Sequence, residues 1–225
     1  MVNPGDIAHV TVMAFATANG WTGPEFFIVP GVRQKKNFNS QVKTHFPQGT
    51  IALTSKGYMT NECFLEWAQF YIEYVKSIRG DPNNWALLVL DGHSSHAYSL
   101  GALKILNSNN ILVVGLPSHA TDILQVHDVA VFCPLKSGFR KACSDWVKEY
   151  RVNFRLDDFP RVLAACWASA NSSANIRSGF MTIGLWPLNL RWLEENENKL
   201  KNKTLSLSAK FERICQRPFN FTSWI

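Results

Sequence analysis

No stretch of the sequence approaches the roughly 20 consecutive apolar residues that a membrane-spanning helix needs. Met1 is followed by Val2-Asn-Pro-Gly-Asp6 rather than by a basic and then apolar leader. The chain is therefore expected to be neither inserted in a membrane nor secreted. Its five cysteines are scattered, odd in number and without a Cys-x-x-Cys pair, which argues against a disulfide scaffold and for a reducing, intracellular compartment. No internal repeat is visible, which excludes a solenoid. Charged residues make up only 18% of the chain, against 46% hydrophobic, which argues against a disordered or coiled-coil chain. What remains is a polypeptide of 225 residues, long enough for one sizeable core. Its formal net charge of +6 and pI near 9.1 suit a polyanionic partner without identifying one.

Periodicity orders the chain. Val10-Thr-Val-Met-Ala-Phe-Ala-Thr-Ala18 reads as a strand ending at the hairpin signal Asn19-Gly20. Phe26-Phe-Ile-Val29 follows a turn at Gly23-Pro24 as its antiparallel neighbour. From Thr60 to Ser77 the apolar residues Phe64, Leu65, Trp67, Ala68, Tyr71, Ile72 and Val75 recur at helical spacing, with Thr60 as cap. Trp85 to Leu90 and Ile111 to Leu116 are continuous apolar runs, the pattern of strands buried on both faces. The stretch from Ser99 to Asn107 between them suits the crossover helix of a right-handed βαβ unit. A long helical segment after Asp122, interrupted or kinked at Pro134, and a helix from Phe159 to Ala170 complete the pattern. From Glu194 the chain turns polar and lysine-rich, which reads as a loosely attached tail over 194–225 behind a core over 1–193.

Polar chemistry gathers where the two buried runs end. In open α/β sheets, ligands collect outside the carboxyl ends of strands. Asp91 stands there, in Asp91-Gly-His-Ser-Ser-His96, and the second run leads through Leu116-Pro-Ser-His119 to Asp122 and Gln125-Val-His-Asp128. His93, His96, His119 and Asp122 form a polar shell around these carboxylates. Carboxylates suit Mg²⁺, a hard cation that takes oxygen ligands and keeps waters for substrate phosphates. A pair of such ions stabilises the attacking and leaving oxygens of a phosphodiester displacement.

Ser55-Lys-Gly-Tyr-Met-Thr60 with Phe64-Leu-Glu-Trp67, Leu88-Val-Leu-Asp-Gly-His-Ser-Ser-His96, Leu116 to Gln125, Asp128 to Lys136 and Ser178 to Asn189 are successive landmarks. In order and spacing they resemble the catalytic domain of the pogo/Tigger/Jerky transposases, the DDE endonuclease family that includes centromere protein B, over roughly residues 5–190. The resemblance implies a ribonuclease H-like α/β fold, a mixed sheet flanked by helices. It also implies a nuclear location, DNA as partner, and Mg²⁺ or Mn²⁺ for DNA cleavage and strand transfer. Asp91 matches the family's second catalytic aspartate and Asp128 its third. The first has no match, since Asp6 alone precedes His9 and sits in a Pro-Gly turn. The core is therefore expected to be N-terminally truncated, to lack its first, central strand, and to be inactive as a nuclease. The family's Asn after the second aspartate is Gly92 here, its Thr-His is Thr121-Asp122, and its Pro-Leu is Val126-His127. These departures bear on activity rather than on fold.

Other readings compete. His93 and His96 with His119 or His127 would make a zinc site, although their spacing matches no closed structural motif. Ser94 or Ser95 beside His96 suggests a hydrolase, but no Gly-x-Ser-x-Gly elbow is present. Arg33, Lys35 and Lys36, and then Lys136, Arg140 and Lys141, form basic clusters near aromatic residues, as a DNA-phosphate surface does. Solvated charge is the plainer account of both. The tryptophans, Trp67, Trp146, Trp167 and Trp186 among them, read as core. The functional expectation is a transposase-derived nuclease domain acting on DNA, and the alternative is a non-catalytic domesticated DNA-binding or assembly protein.

Overall fold

A computed structural model describes residues 9–91, 99–116, 121–192 and 194–196, the side chains of 121 and 122 excepted. The architecture is mixed α/β, with small sheets flanked by helices. It divides into two compact units, Met1–Cys63 with Ala130–Ile176, and Phe64–Val129 with Arg177–Ile225.

The first unit is built around β2 (Phe26–Pro30), whose Phe26, Phe27, Ile28 and Val29 are all buried. Strand β1 (Thr11–Met13) pairs antiparallel with it, Val12 opposite Phe27. The sequence suggests a longer strand, to Ala18. The chain instead leaves the ladder after Met13 and closes a tight turn in which the Gly20 N–H donates to Thr17 O and the Thr17 N–H to Trp21 O, each at 2.8 Å. Gly20, at φ 91°, supplies the left-handed residue this turn needs.

Two elements here had no expectation attached. Helix α1 (Lys36–His45) carries the chain from β2 to β3 (Thr50–Thr54), which pairs parallel to β2 in the register Phe26 to Thr50 through Pro30 to Thr54. Phe38 and Val42, four apart on α1, pack with Phe27, Val29, Phe46, Leu163 and Trp167 into one core. Leu163 and Trp167 belong to α7 (Phe159–Ala170), which has the bounds its pattern suggests. It lies against α6 (Phe132–Tyr150) so closely that a Cβ on Gly138 would stand 2.8 Å from Cys166 Cβ.

The second unit begins its core with α2 (Asn61–Ile78). The Cys63 N–H donates to Thr60 Oγ1 at 3.2 Å, the expected cap. Phe64, Trp67, Ala68, Tyr71, Ile72 and Val75 are buried at the spacing read from the sequence, and Leu65 of the same set is half-buried. Then β4 (Ala86–Leu90), α3 (Leu100–Ser108) and β5 (Ile111–Gly115) form the expected parallel βαβ unit, Leu90 opposite Gly115. The expectation that both strands are buried on both faces does not hold. Leu88, Leu90 and Ile111 are buried, but Leu87 is 57% and Leu112 52% exposed. A two-stranded ladder with one crossover helix, α3 packed on β5, has cover for one face only.

The chain continues through α4 (Thr121–Leu124), α5 (Val126–Ala130) and α6. Here too the sequence reading is corrected: the breaks fall at Gln125 and Val131, not at Pro134. Pro134 is the third residue of α6, where its missing N–H is one of those with no intrahelical acceptor. Helix α8 (Ser173–Thr182) follows α7. Among the described residues β1 pairs with β2 alone and β4 with β5 alone. The residues from 197 onward, most of the expected tail, lie outside the described ones.

Arg79 fixes the approach to both parallel strands. Its Nη1 donates to Pro82 O at 3.2 Å and Asn109 O at 3.0 Å, and its Nη2 to Asn110 O at 3.3 Å. The Asn110 carbonyl also accepts the Ala86 N–H at 2.9 Å, so one guanidinium ties the turn before β4 to the turn before β5. Hydrogen bonds from a charged donor contribute about 1.5–3 kcal/mol each and are not additive when shared. Arg79→Met, which keeps the aliphatic stem, is expected to cost about 2 kcal/mol and lower the thermal midpoint by roughly 4–8 °C. A midpoint within a degree of the parent's would show that these bonds are replaced by water without loss.

Candidate functional site

The parallel register sets the site. Because Leu90 faces Gly115 and the Leu116 N–H donates to Leu90 O at 3.1 Å, the two strands end side by side. Asp91 is the first residue past β4, half-buried at the carboxyl edge of this sheet. Asp128 is the third residue of α5, also half-buried, where the amide ends of a helix favour negative charge. Both belong to the second unit.

Asp128 has an unusual neighbour. His127 is only 3% exposed, and burial pushes its pKa down to about 4. The imidazole is neutral at pH 7 and adds no positive charge beside Asp128. Val126, buried on the other side, holds the same short helix to the core. Were Asp91 and Asp128 to share an ion, their donors would be all oxygen and anionic, which suits a hard divalent cation better than zinc. Among the described residues there is no group of three or more His, Cys, Asp or Glu that would hold a metal ion unaided. Magnesium is commonly held by one or two carboxylates with substrate phosphates and water, so two aspartates fit it.

The rest of the expected polar shell is out of view. His93, His96 and His119 lie outside the described residues, and Asp122 is described only as a backbone position in α4. The hydrolase reading, on Ser94, Ser95 and His96, also lies outside the described residues, and of the zinc reading's histidines His127 alone is described.

The basic clusters fall in the first unit. Arg33 and Lys35 lie in the turn before α1 and Lys36 is its first residue, all three exposed. No side chain caps this helix start and no acid stands in its first turn. Three cations at the positive end of a helix repel it, while the same arrangement favours an arriving anion. Lys136, Arg140 and Lys141 are exposed on α6. Lys136 and Arg140, one turn apart, border an apolar cleft of about 340 Å³ walled by Val12, Phe132, Leu135, Phe139 and Phe159.

Of the tryptophans, Trp67 is fully buried and Trp167 is 7% exposed, as expected of core residues, whereas Trp146 is half-buried. Trp186 is 58% exposed and is not core. It occupies the turn after α8, where its N–H and that of Leu185 both donate to Phe180 O, and a turn of this kind has no layer above it.

Glu25 escaped the sequence reading. It stands at the foot of β2 and accepts the Trp167 Nε1–H at 2.6 Å. The sequence marks only its place, a single acid between Gly23-Pro24 and the apolar run Phe26-Phe-Ile-Val29, and not its contact with Trp167.

Comparison with known proteins fits this picture. The family model described as DDE superfamily endonuclease matches residues 7–180. A Cochliobolus lunatus protein named MFS-type transporter clz9 is 28% identical over 188 residues, covering 83% of this chain and 20% of that protein. The Mus musculus protein named Pogo transposable element with KRAB domain is 27% identical over 140 residues, covering 62% of this chain and 21% of its own length. The Homo sapiens protein of the same name is 27% identical over 139 residues, with 61% and 21% covered. This chain thus spans about a fifth of the length of these relatives. No solved structure matches it. The transporter name belongs to that fungal protein, and among the described residues here no helix is long and apolar enough to cross a membrane. With most of its length matched by the family model, the chain belongs to the DDE superfamily endonucleases.

Proposed function

We propose that this chain is a transposase-derived, ribonuclease H-like nuclease domain that acts on DNA, with Asp91 and Asp128 as two of its metal-binding carboxylates. The observation that carries the reading is the position of Asp91, directly past a parallel strand whose neighbour ends in register with it. In such a fold a further strand would stand beside β4, and β4 has an edge that no described strand pairs.

Asp91 and Asp128 would hold Mg²⁺ or Mn²⁺, with carboxylates within roughly 8 Å of each other. The bound ion supplies Lewis-acid stabilisation of the oxygens at the scissile phosphate. The protein supplies position. The in-register strand ends fix Asp91, the buried Val126 and His127 fix α5 and hence Asp128, and the neutral His127 adds no positive charge beside Asp128. Arg33, Lys35 and Lys36 at the start of α1, and Lys136, Arg140 and Lys141 on α6, would take DNA phosphates. A DNA partner implies the nucleus, and cysteines scattered without a Cys-x-x-Cys pair suit its reducing conditions.

A second reading has its own support. The exposed cations of the first unit, Arg33, Lys35 and Lys36 before α1 and Lys136, Arg140 and Lys141 on α6, would take DNA phosphates with or without a metal. A domain that binds DNA without cutting it would look the same. Sub-stoichiometric Mn²⁺ separates the possibilities through paramagnetic broadening of amide signals. The amides around Asp91 and Asp128 are expected to broaden together, and Asp91→Asn or Asp128→Asn to weaken Mn²⁺ at least tenfold. Broadening at one position alone would sink the shared site. Supercoiled plasmid incubated with the 225-residue chain and Mg²⁺ or Mn²⁺ is expected to stay unnicked, since phosphoryl transfer depends on positioning and charge. Nicking that Asp91→Ala abolishes would show a complete site and favour the enzyme.

A further inference from the structure

The surface chemistry described so far suits an anion. One cleft of the first unit has the opposite character. It is open to the surface, has a volume of about 390 Å³, and is walled by Pro24, Glu25, His45, Phe46, Pro47 and Trp167 among others. No lysine or arginine lines it.

Glu25 is its one carboxylate. Trp167 Nε1–H is the side-chain donor that holds it, at 2.6 Å. Among the described residues no cation forms an ion pair with it, and burial raises its pKa. A carboxylate withdrawn from water without a counter-charge is costly, and a cation entering the cleft relieves that cost. The end of α1 adds to the same field. His45 and Phe46 are the last residue and the C-cap of that helix, so its negative end, with the carbonyls of the last turn, borders the cleft. Arg33, Lys35 and Lys36 lie at the other end of α1, ten residues or about 15 Å away, and of the two basic residues in its last turn, Lys43 and His45, His45 alone lines the cleft.

We propose that this cleft receives an arginine side chain of a partner polypeptide, with the Glu25 carboxylate taking the guanidinium. Arginine fits better than lysine. Its head group is planar and weakly hydrated, and it lies well against flat apolar walls such as Pro24, Pro47 and Trp167, whereas an ammonium keeps its water. DNA does not fit, because a half-buried carboxylate and a helix carboxyl end both repel phosphate. An open cleft rather than an enclosed cavity suits a side chain that projects from another surface. The proposal is independent of the nuclease reading, since it uses neither Asp91 nor any of the basic residues.

The test follows the Trp167 indole N–H, assigned by its loss in Trp167→Phe, by NMR of the whole chain during titration. N-acetyl-argininamide is expected to shift it saturably in the millimolar range, the lysine analogue at least threefold more weakly. A neutral peptide with one central arginine is expected to bind at least tenfold tighter than the amide. Glu25→Gln keeps an oxygen for the Trp167 N–H to donate to and removes the charge, so it should weaken the amide at least tenfold. Ala168→Arg, on the exposed rim of the same cleft, should block it by filling the cleft from within. An unchanged titration in both variants, or no saturable shift in the parent, overturns the proposal. An oligothymidylate that shifts the signal equally would overturn it in favour of nucleic acid. Equal binding of amide and peptide would overturn the polypeptide as the source.

Discussion

Replacing Trp67 by alanine is expected to cost about 3–5 kcal/mol, the usual loss when a large buried aromatic is truncated. Trp67 is fully buried in α2, stacked between Phe64, with ring centroids 5.3 Å apart, and Tyr71, at 5.1 Å. A helix cannot shift to refill the space of an indole without displacing every other residue on the same face. The loss is a large part of the 5–15 kcal/mol that stabilises a typical domain. Trp85→Ala is the matched control, since Trp85 is 61% exposed and a surface change of this kind stays within about 0.5 kcal/mol. Urea unfolding followed by amide exchange in α2 measures both. Similar midpoints for the two variants would show that the Phe64, Trp67 and Tyr71 stack is not what holds this helix.

Trp67 also shows what the sequence makes legible. Its helix was readable because apolar residues at helical spacing have few other ways to be buried, and Thr60 marks the start. The parallel strands β4 and β5, their crossover helix and the position of Asp91 at a strand end were readable for the same reason. Helix α1 was not, because it buries only Phe38 and Val42, too few to raise a periodic signal. Strand β3 was missed with it: Ile51-Ala-Leu53 is a short run between polar residues, and its role depends on a parallel partner, β2, more than twenty positions away. The site divides similarly. Asp91 follows from local pattern, whereas Glu25 acquires its character from Trp167, 142 residues distant, and no local pattern encodes that contact.

Gly57→Ala is expected to cost about 3 kcal/mol or more, for two separate reasons. Gly57 has φ +76°, a left-handed conformation that costs a residue with a Cβ roughly 1–2 kcal/mol. A Cβ built there would stand 2.1 Å from the backbone oxygen of His9 and 3.0 Å from Pro30 Cδ. A backbone oxygen cannot rotate aside, so the segment from His9 must move. That movement endangers the bond from Thr11 Oγ1 to Gly57 O at 2.8 Å and the stacking of His9 on Tyr58 at 4.0 Å. These two contacts pin the start of β1 to the turn after β3. They also give a landmark of the family resemblance structural roles: in Ser55 to Thr60, Gly57 permits the close approach, Tyr58 stacks on His9 and Thr60 caps α2. Two other glycines separate the causes. Gly31, at φ +139°, has nothing closer to its built Cβ than Arg33 O at 3.7 Å, and Gly80 has no positive φ and open space. Gly31→Ala should therefore lose only the conformational part, about 1–2 kcal/mol, and Gly80→Ala should be near neutral. Unfolding free energies in the order Gly57→Ala lowest, then Gly31→Ala, then Gly80→Ala would support the account. A Gly57→Ala value within 1 kcal/mol of Gly80→Ala would mean that the His9 segment gives way freely and that β1 is held by its pairing with β2 alone.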